Sequence, residues 1–208
     1  MTSLLNLFCQ IDDFCIKAQP QLERQQIPQA GQRRRRRSLQ HSEIITILVA
    51  FHLSRYPDFK SFYQGHVCQQ WKAEFPGLTS YNRFVEFIPS VLVTMRAYLH
   101  SLMGTCSGIS FIDSTALVVC QNLRIGQHRV FAGVAQRGKT SEGWFFGFKL
   151  YLVVNDEGEL LNIALTAGNV NDVKPAKDLL GHLFGKVYGD KGYISATLFA
   201  DLFERGVE

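Results

Sequence analysis

Residues 109–119, Ile-Ser-Phe-Ile-Asp-Ser-Thr-Ala-Leu-Val-Val, decide the fold. β-Branched and aromatic residues dominate this stretch, which suits a pleated, half-buried strand better than a helix. A similar run follows at 145–155, and Asp156-Glu-Gly-Glu turns it into another at 160–165. Three successive strands predict an antiparallel meander. Beyond it the pattern predicts a helix at 173–183 with Asp172 as its cap, a short strand at 186–189, and a helix at 195–204 capped by Ser195. The order β, β, β, α, β, α predicts an α/β fold class, with one mixed sheet and flanking helices over residues 105–208.

Upstream of this stretch the period is helical. Leu4, Leu7, Phe8, Ile11, Phe14 and Cys15 fall at i, i+3, i+4 and i+7, which predicts an amphipathic helix over residues 1–18. Residues 19–40 are rich in Gln and Arg, with Pro20, Pro28, Gly31 and the run Arg33 to Arg37, and read as a linker or a phosphate-contacting arm. Residues 41–104 return to helical spacing. Ser42 is expected to cap a helix running to Arg55, Pro57 to stop it, Asp58 to cap the next, and Thr79 or Ser80 to cap a third that Pro89 bends. Helices joined by the Gly-containing turn at 75–80 resemble a helix-turn-helix. In that arrangement Tyr81, Asn82 and Arg83 would face the major groove and read base edges. The alternative is an ordinary helical bundle in which Arg83 pairs with Glu86.

Composition excludes several classes of protein. Hydrophobic residues make up 46% and charged residues 19% of 208, with a mean hydropathy of -0.01. Those are the values of a packed chain, not a disordered one. Lys149 interrupts the longest apolar run, so no membrane span is expected. Asp12 and Asp13 argue against a signal peptide, and the expected compartment is cytoplasmic. Five scattered cysteines without a C-x-x-C pair and six histidines without zinc spacing suggest neither disulfides nor a zinc site. Residues 1–100 carry 12 Lys or Arg against 7 acids, whereas residues 101–208 carry 10 against 11. A basic front half suggests a polyanion as partner.

Asp113 and Asp190 each stand at the end of an apolar strand, where the pattern asks for a buried residue. A buried carboxylate needs hydrogen bonds, an ion pair or a cation. If their strands are neighbours, the two aspartates repel one another unless a divalent ion lies between them, and hard oxygen ligands suit Mg2+ or Mn2+. Such ions drive phosphodiester displacement. The bland reading has Asp113 capping a turn and Asp190 paired with Lys191. Residues 120–143 add Arg124, His128, Arg129, Arg137 and Lys139, a charge pattern that suits a loop holding the DNA backbone. Lys149 and Lys191 are further phosphate contacts by position. Asp172 is a third candidate ligand that reads more simply as a helix cap. Trp71, Trp144 and the phenylalanines read as core.

The segments SYNRFVEFIPSVL (80–92), GISFIDST (108–115), GWFFGFKLYLVVNDEGE (143–159), LTAGNVNDVKP (165–175) and LFGKVYGDKGYIS (183–195) resemble the bacterial insertion-sequence transposases of the DDE type, in the family numbered nine hundred and eighty-two. The resemblance implies a ribonuclease-H-like catalytic domain, with Asp113 and Asp190 as the first two acids of its triad. It also implies a Mg2+ (or Mn2+) cofactor and, as partner, double-stranded DNA at the terminal inverted repeats of a mobile element. The family's third acid is a glutamate on a later helix. Only 18 residues follow Asp190 and Glu204 falls on the helix directly after it, so the domain is expected to be cut short and inactive alone. The chain would then act as a homo-oligomer or in mixed assembly with full-length transposase. The competing reading is a non-catalytic DNA-binding repressor of transposition.

Overall fold

The structure, a computed structural model, describes residues 3–25, 38–141 and 143–207. The arginine run 33–37 and most of the expected arm lie outside the described residues. The chain divides into two compact units, Met1–Ser101 and Leu102–Glu208.

The first unit is helical. Helix α1 (Leu4–Gln25) buries Leu7 and Ile11, as the spacing predicts, in one core with Ile44, Ile45 and Ile47. It runs seven residues past the expected end and takes Pro20 into its interior. One proline removes one backbone donor, and the flanking Gln, Leu, Glu and Arg are good helix formers. The expected linker therefore does not begin at residue 19. Helix α2 (His41–Leu53) starts one residue before Ser42, because Gln40 is its cap and the Gln40 N–H donates to Glu43 Oε2 at 2.6 Å. Asp58 does cap α3 (Phe59–Phe62), accepting from Ser61 N–H at 2.9 Å. A π turn (Tyr63–Val67) and α4 (Cys68–Gln70) continue it. Ser80 caps α5 (Tyr81–Phe87), and Pro89 divides the remaining helical stretch into a 3-10 turn (Ile88–Val91) and α6 (Leu92–Ser101). Phe59, Phe62, Tyr63 and Phe84 pack ring to ring, and the Tyr63 hydroxyl donates to Thr79 O at 2.8 Å, which ties the turn before α5 to the core.

The second unit carries the expected mixed sheet, with five strands where the sequence pattern predicts four. Strand β1 (Ile109–Cys120) pairs antiparallel with β3 (Gly143–Asn155), and β3 pairs antiparallel with β4 (Leu160–Ala167). Strand β5 (Lys186–Tyr188) lies parallel on the other side of β1. Strand β2 (Gln136–Thr140), paired with Gly143–Gly147, stands where the sequence pattern predicts a loop. Its residues, Gln-Arg-Gly-Lys-Thr, carry little β-propensity, and the ladder with β3 supplies what propensity does not. Helices α7 (Val173–Leu180) and α8 (Ala196–Phe203) cover one face, where Ile112, Tyr151, Val153, Ala176, Leu179 and Leu198 form the core. Trp71 packs against the helical core as expected, but Trp144 is 64% exposed.

Gly147 sits where β3 lies close against β1. A Cβ there would stand 2.0 Å from the Leu117 carbonyl oxygen, a backbone atom that cannot move aside. Gly147→Ala should therefore destabilise the chain by about 3 kcal/mol. Urea unfolding measures this, and an unchanged midpoint would contradict the β1/β3 register.

Candidate active site

The site is built by β5. It pairs with β1 through Ile109↔Lys186, Ser110↔Val187 and Phe111↔Tyr188. Asp113 and Asp190 each follow the last pair by two residues, which sets them at the same level; Asp113 lies inside β1, paired with Leu152, and not at a strand end as the sequence pattern suggests, while Asp190 lies just past the end of β5. Both are exposed, contrary to the buried positions expected of them. Strand β1 alternates, burying Ser110 and Ile112 on the helix-covered face and leaving Phe111, Asp113 and Leu117 on the open one. Each carboxylate has one backbone donor: Ser114 N–H gives 2.7 Å to Asp113 Oδ1, and Gly192 N–H gives 2.8 Å to Asp190 Oδ1. Asp190 thereby caps the 3-10 turn Lys191–Tyr193. Each aspartate also has a second oxygen, and two exposed carboxylates of this kind suit a hard divalent ion. Among the described residues no three His, Cys, Asp or Glu side chains stand close enough together to hold a metal.

Lys149 is the residue whose environment differs most from a strand lysine at a solvated end. It is 9% exposed, on the covered face of β3 in line with Tyr151 and Val153. A buried ammonium needs partners. Lys149 Nζ donates 2.7 Å to Asp172 Oδ1 and 3.2 Å to Val170 O. The Tyr151 hydroxyl donates to the same Asp172 oxygen at 2.8 Å. Burial, and then this bond to Asp172, push the Tyr151 phenol well above its ordinary range, so it stays a neutral donor. Asp172 stands at the start of α7 but makes no capping bond with its side chain, so the expected helix cap is a cross-link between β3 and the α7 start instead. The signal was present in the sequence: Lys149 falls at a buried position of a period-two apolar strand and calls for an acid.

Arg137, Lys139, Trp144, Lys149, Asp172 and Gly192 line one groove of about 510 Å³. Lys139 Nζ sits 5.8 Å from the Trp144 ring centroid. Arg124, Arg129 and Lys191 are exposed, Arg124 on a 3-10 turn (Asn122–Gln127). His128 stacks on Phe131 with its centroid 6.0 Å away, and its Nε2 is buried without a hydrogen-bond partner. In the first unit Asn82 is exposed, Arg83 pairs with Glu86 and lies 4.9 Å from the Phe87 centroid, and Tyr81 packs on Phe59.

Removing the Lys149 ammonium leaves the Asp172 carboxylate without its cation in a partly buried place. Lys149→Ala should cost the chain about 2–3 kcal/mol, less than a fully buried pair because Asp172 keeps some access to water. Chemical denaturation of the two proteins checks this, and a loss below about 0.5 kcal/mol, the ordinary range of a surface change, would show the pair to be ornamental.

Residues 103–208 match the family model of the transposase DDE domain. No curated protein and no solved structure matches the chain. The match spans the whole β1 to α8 region, with Asp113 and Asp190 inside it, and covers just over half of the sequence. The chain belongs to the transposase DDE domain family.

Proposed function

We propose that the protein is the transposase of an insertion sequence, which binds the terminal inverted repeats of its element as double-stranded DNA and cuts and rejoins phosphodiester bonds there. The observation that carries this reading is the level placement of Asp113 and Asp190 on neighbouring strands of a DDE domain. An antiparallel meander with a parallel strand added beside β1 supports a ribonuclease-H-like form. The sequence segments favour the family numbered nine hundred and eighty-two.

Asp113 and Asp190 would hold Mg2+ or Mn2+, which when bound activates a water or a 3'-hydroxyl and stabilises the leaving oxygen. The remaining work falls to the chain's own side chains. Arg137 and Lys139, exposed at the groove, bind and orient the DNA backbone, and Lys191 does so beside Asp190. Arg124, His128 and Arg129 extend that contact, with His128 turning from Phe131 to give its free nitrogen a phosphate. Asn82 and Arg83 at the start of α5 read bases, for which Arg83 gives up Glu86. A second reading, a DNA-binding repressor that enters mixed assemblies with full-length transposase, is favoured by the want of a third ligand beside Asp113 and Asp190 among the described residues. Glu204 lies at the C-terminal end of α8, on the helix directly after the Asp190 turn.

A labelled fragment of the element's end, incubated with the full chain and Mg2+, separates the readings. The transposase reading expects nicking and joining that fall to background in Asp113→Asn and Asp190→Asn while binding persists. Binding without cleavage by the unaltered chain selects the repressor, and cleavage that survives both substitutions refutes the assignment of the two aspartates. Arg83→Ala should reduce the preference for repeat ends over random DNA by about ten-fold. Equal losses on both DNAs would remove Arg83 from base reading.

A further inference from the structure

Trp144 is a large apolar side chain left in water at 64% exposure. Strand alternation puts Phe146 and Phe148 on the same face of β3, and both have cover. The segment after β1 supplies it: His128 lies 6.4 Å from the Phe146 ring and Phe131 5.5 Å from the Phe148 ring, centroid to centroid. The cover stops short of Trp144. The residue is nonetheless held in place, because it pairs with Lys139 across the β2/β3 ladder and its carbonyl oxygen accepts from Asn122 Nδ2 at 2.8 Å. The Lys139 ammonium, 5.8 Å from the ring centroid, is within reach of cation-π attraction. An indole so fixed and so exposed is a flat surface ready for a second flat partner.

The surroundings say which partner. Trp144 lines the groove of about 510 Å³ together with Arg137 and Lys139. Among the described residues of that lining Asp172 is the one acid, and Lys149 already neutralises it. The charge left over is that of Arg137 and Lys139, both exposed. Spare positive charge beside an open aromatic ring complements a ligand that is anionic at one end and flat at the other, which is a nucleotide. A duplex keeps its base faces stacked inside, whereas a groove of about 510 Å³ has the size of a small-ligand pocket. The nucleotide that fits is an unpaired one.

We propose that this groove takes one unpaired nucleotide of the DNA, its base stacked on Trp144 and its phosphate held by Arg137 and Lys139. This rests on the DNA-binding reading above and adds to it a single-stranded form of the substrate. The groove also reaches Gly192, in the turn that Asp190 caps, so a strand whose base is seated on Trp144 is led toward that turn. Stacking tolerates any base, so Trp144 contributes grip and not sequence preference.

The test uses the full chain with a chelator present, so that nothing is cut, and two labelled single strands of about eight nucleotides: an oligothymidylate and an abasic strand of equal length. Affinity is read by fluorescence anisotropy for the unaltered protein, Trp144→Ala and Trp144→Phe, each shown to fold by circular dichroism. Trp144→Ala should bind the oligothymidylate about ten-fold more weakly or worse, and the abasic strand as the unaltered protein does. Trp144→Phe should recover most of the loss, since phenylalanine also stacks. The oligothymidylate should quench the tryptophan emission of the unaltered protein but not that of Trp144→Phe, whose remaining tryptophan, Trp71, packs against the helical core. Equal losses on both strands in Trp144→Ala, or none on either, overturn the stacking role and leave the DNA-binding reading standing. Failure of the unaltered chain to bind either strand or a duplex repeat end overturns that reading itself.

Discussion

Three parallel residue pairs hold β5 against β1, and every feature of the site depends on them. So short a strand contributes few ladder bonds, and the sequence compensates with a glycine at each end, one letting the backbones come close and the other letting side chains pack against the chain. Gly185 has a φ of 82°, and a Cβ on it would stand 2.2 Å from the Gly108 carbonyl oxygen. At the other end a Cβ on Gly189 would stand 2.9 Å from Ile112 Cγ2. The two glycines thus bracket Lys186–Tyr188 and set its register, while Phe111 stacks on Tyr188 with centroids 5.5 Å apart to fix it from the open face. A slip of one residue would turn Asp190 to the other face.

The covered face solves a different problem. Lys149 continues the buried row of Tyr151 and Val153, and a charge there is tolerated only because the chain returns with Asp172 and the Val170 carbonyl. The return is made by the loop between β4 and α7, so the same bonds that neutralise Lys149 also fix where α7 begins. Gly168 lets that loop pass close to β2, since a Cβ on it would stand 2.7 Å from Gln136 O. Electrostatics and topology are coupled here: the helix that closes the core is placed by a strand's buried ammonium.

Much of this was legible in the residues. The strands of 109–119, 145–155 and 160–165, the hairpin turn at Asp156-Glu-Gly-Glu, the caps Asp58 and Ser195, Ser80 of the pair Thr79 or Ser80, and the break at Pro89 all follow from local chemistry and appear where that chemistry puts them. Asp113 and Asp190 could be set side by side only on the condition that their strands are neighbours, a condition that the β1/β5 pairing meets. Strand β2 was not legible, since Gln-Arg-Gly-Lys-Thr becomes a strand only beside β3. Nor was the role of Asp172, where a local rule favouring a helix cap lost to a buried lysine 23 residues away. The burial expected of Asp113 and Asp190 failed for a related reason. Alternation put Asp113 on the face that α7 and α8 do not cover, and Asp190 lies just past its strand, in a turn.

That exposure suits the substrate class proposed for the chain. A nucleic acid backbone is a bulky polyanion, and a carboxylate that would handle it with a metal ion must be reached from outside. Asp113 is open to such an approach, on the same uncovered face of β1 as the exposed Phe111 and Leu117. Asp172 lies on the other side of the sheet's chemistry, half-buried and held by Lys149 and Tyr151, where water and chain motion disturb it least. Asp190 stands just past β5, in a turn tied by the Gly192 N–H. Asp113 and Asp190 are thus left open to solvent, whereas Asp172 is committed to neutralising Lys149 and to fixing where α7 begins. Access and rigidity are competing demands on a carboxylate, and the two faces of the sheet meet them separately.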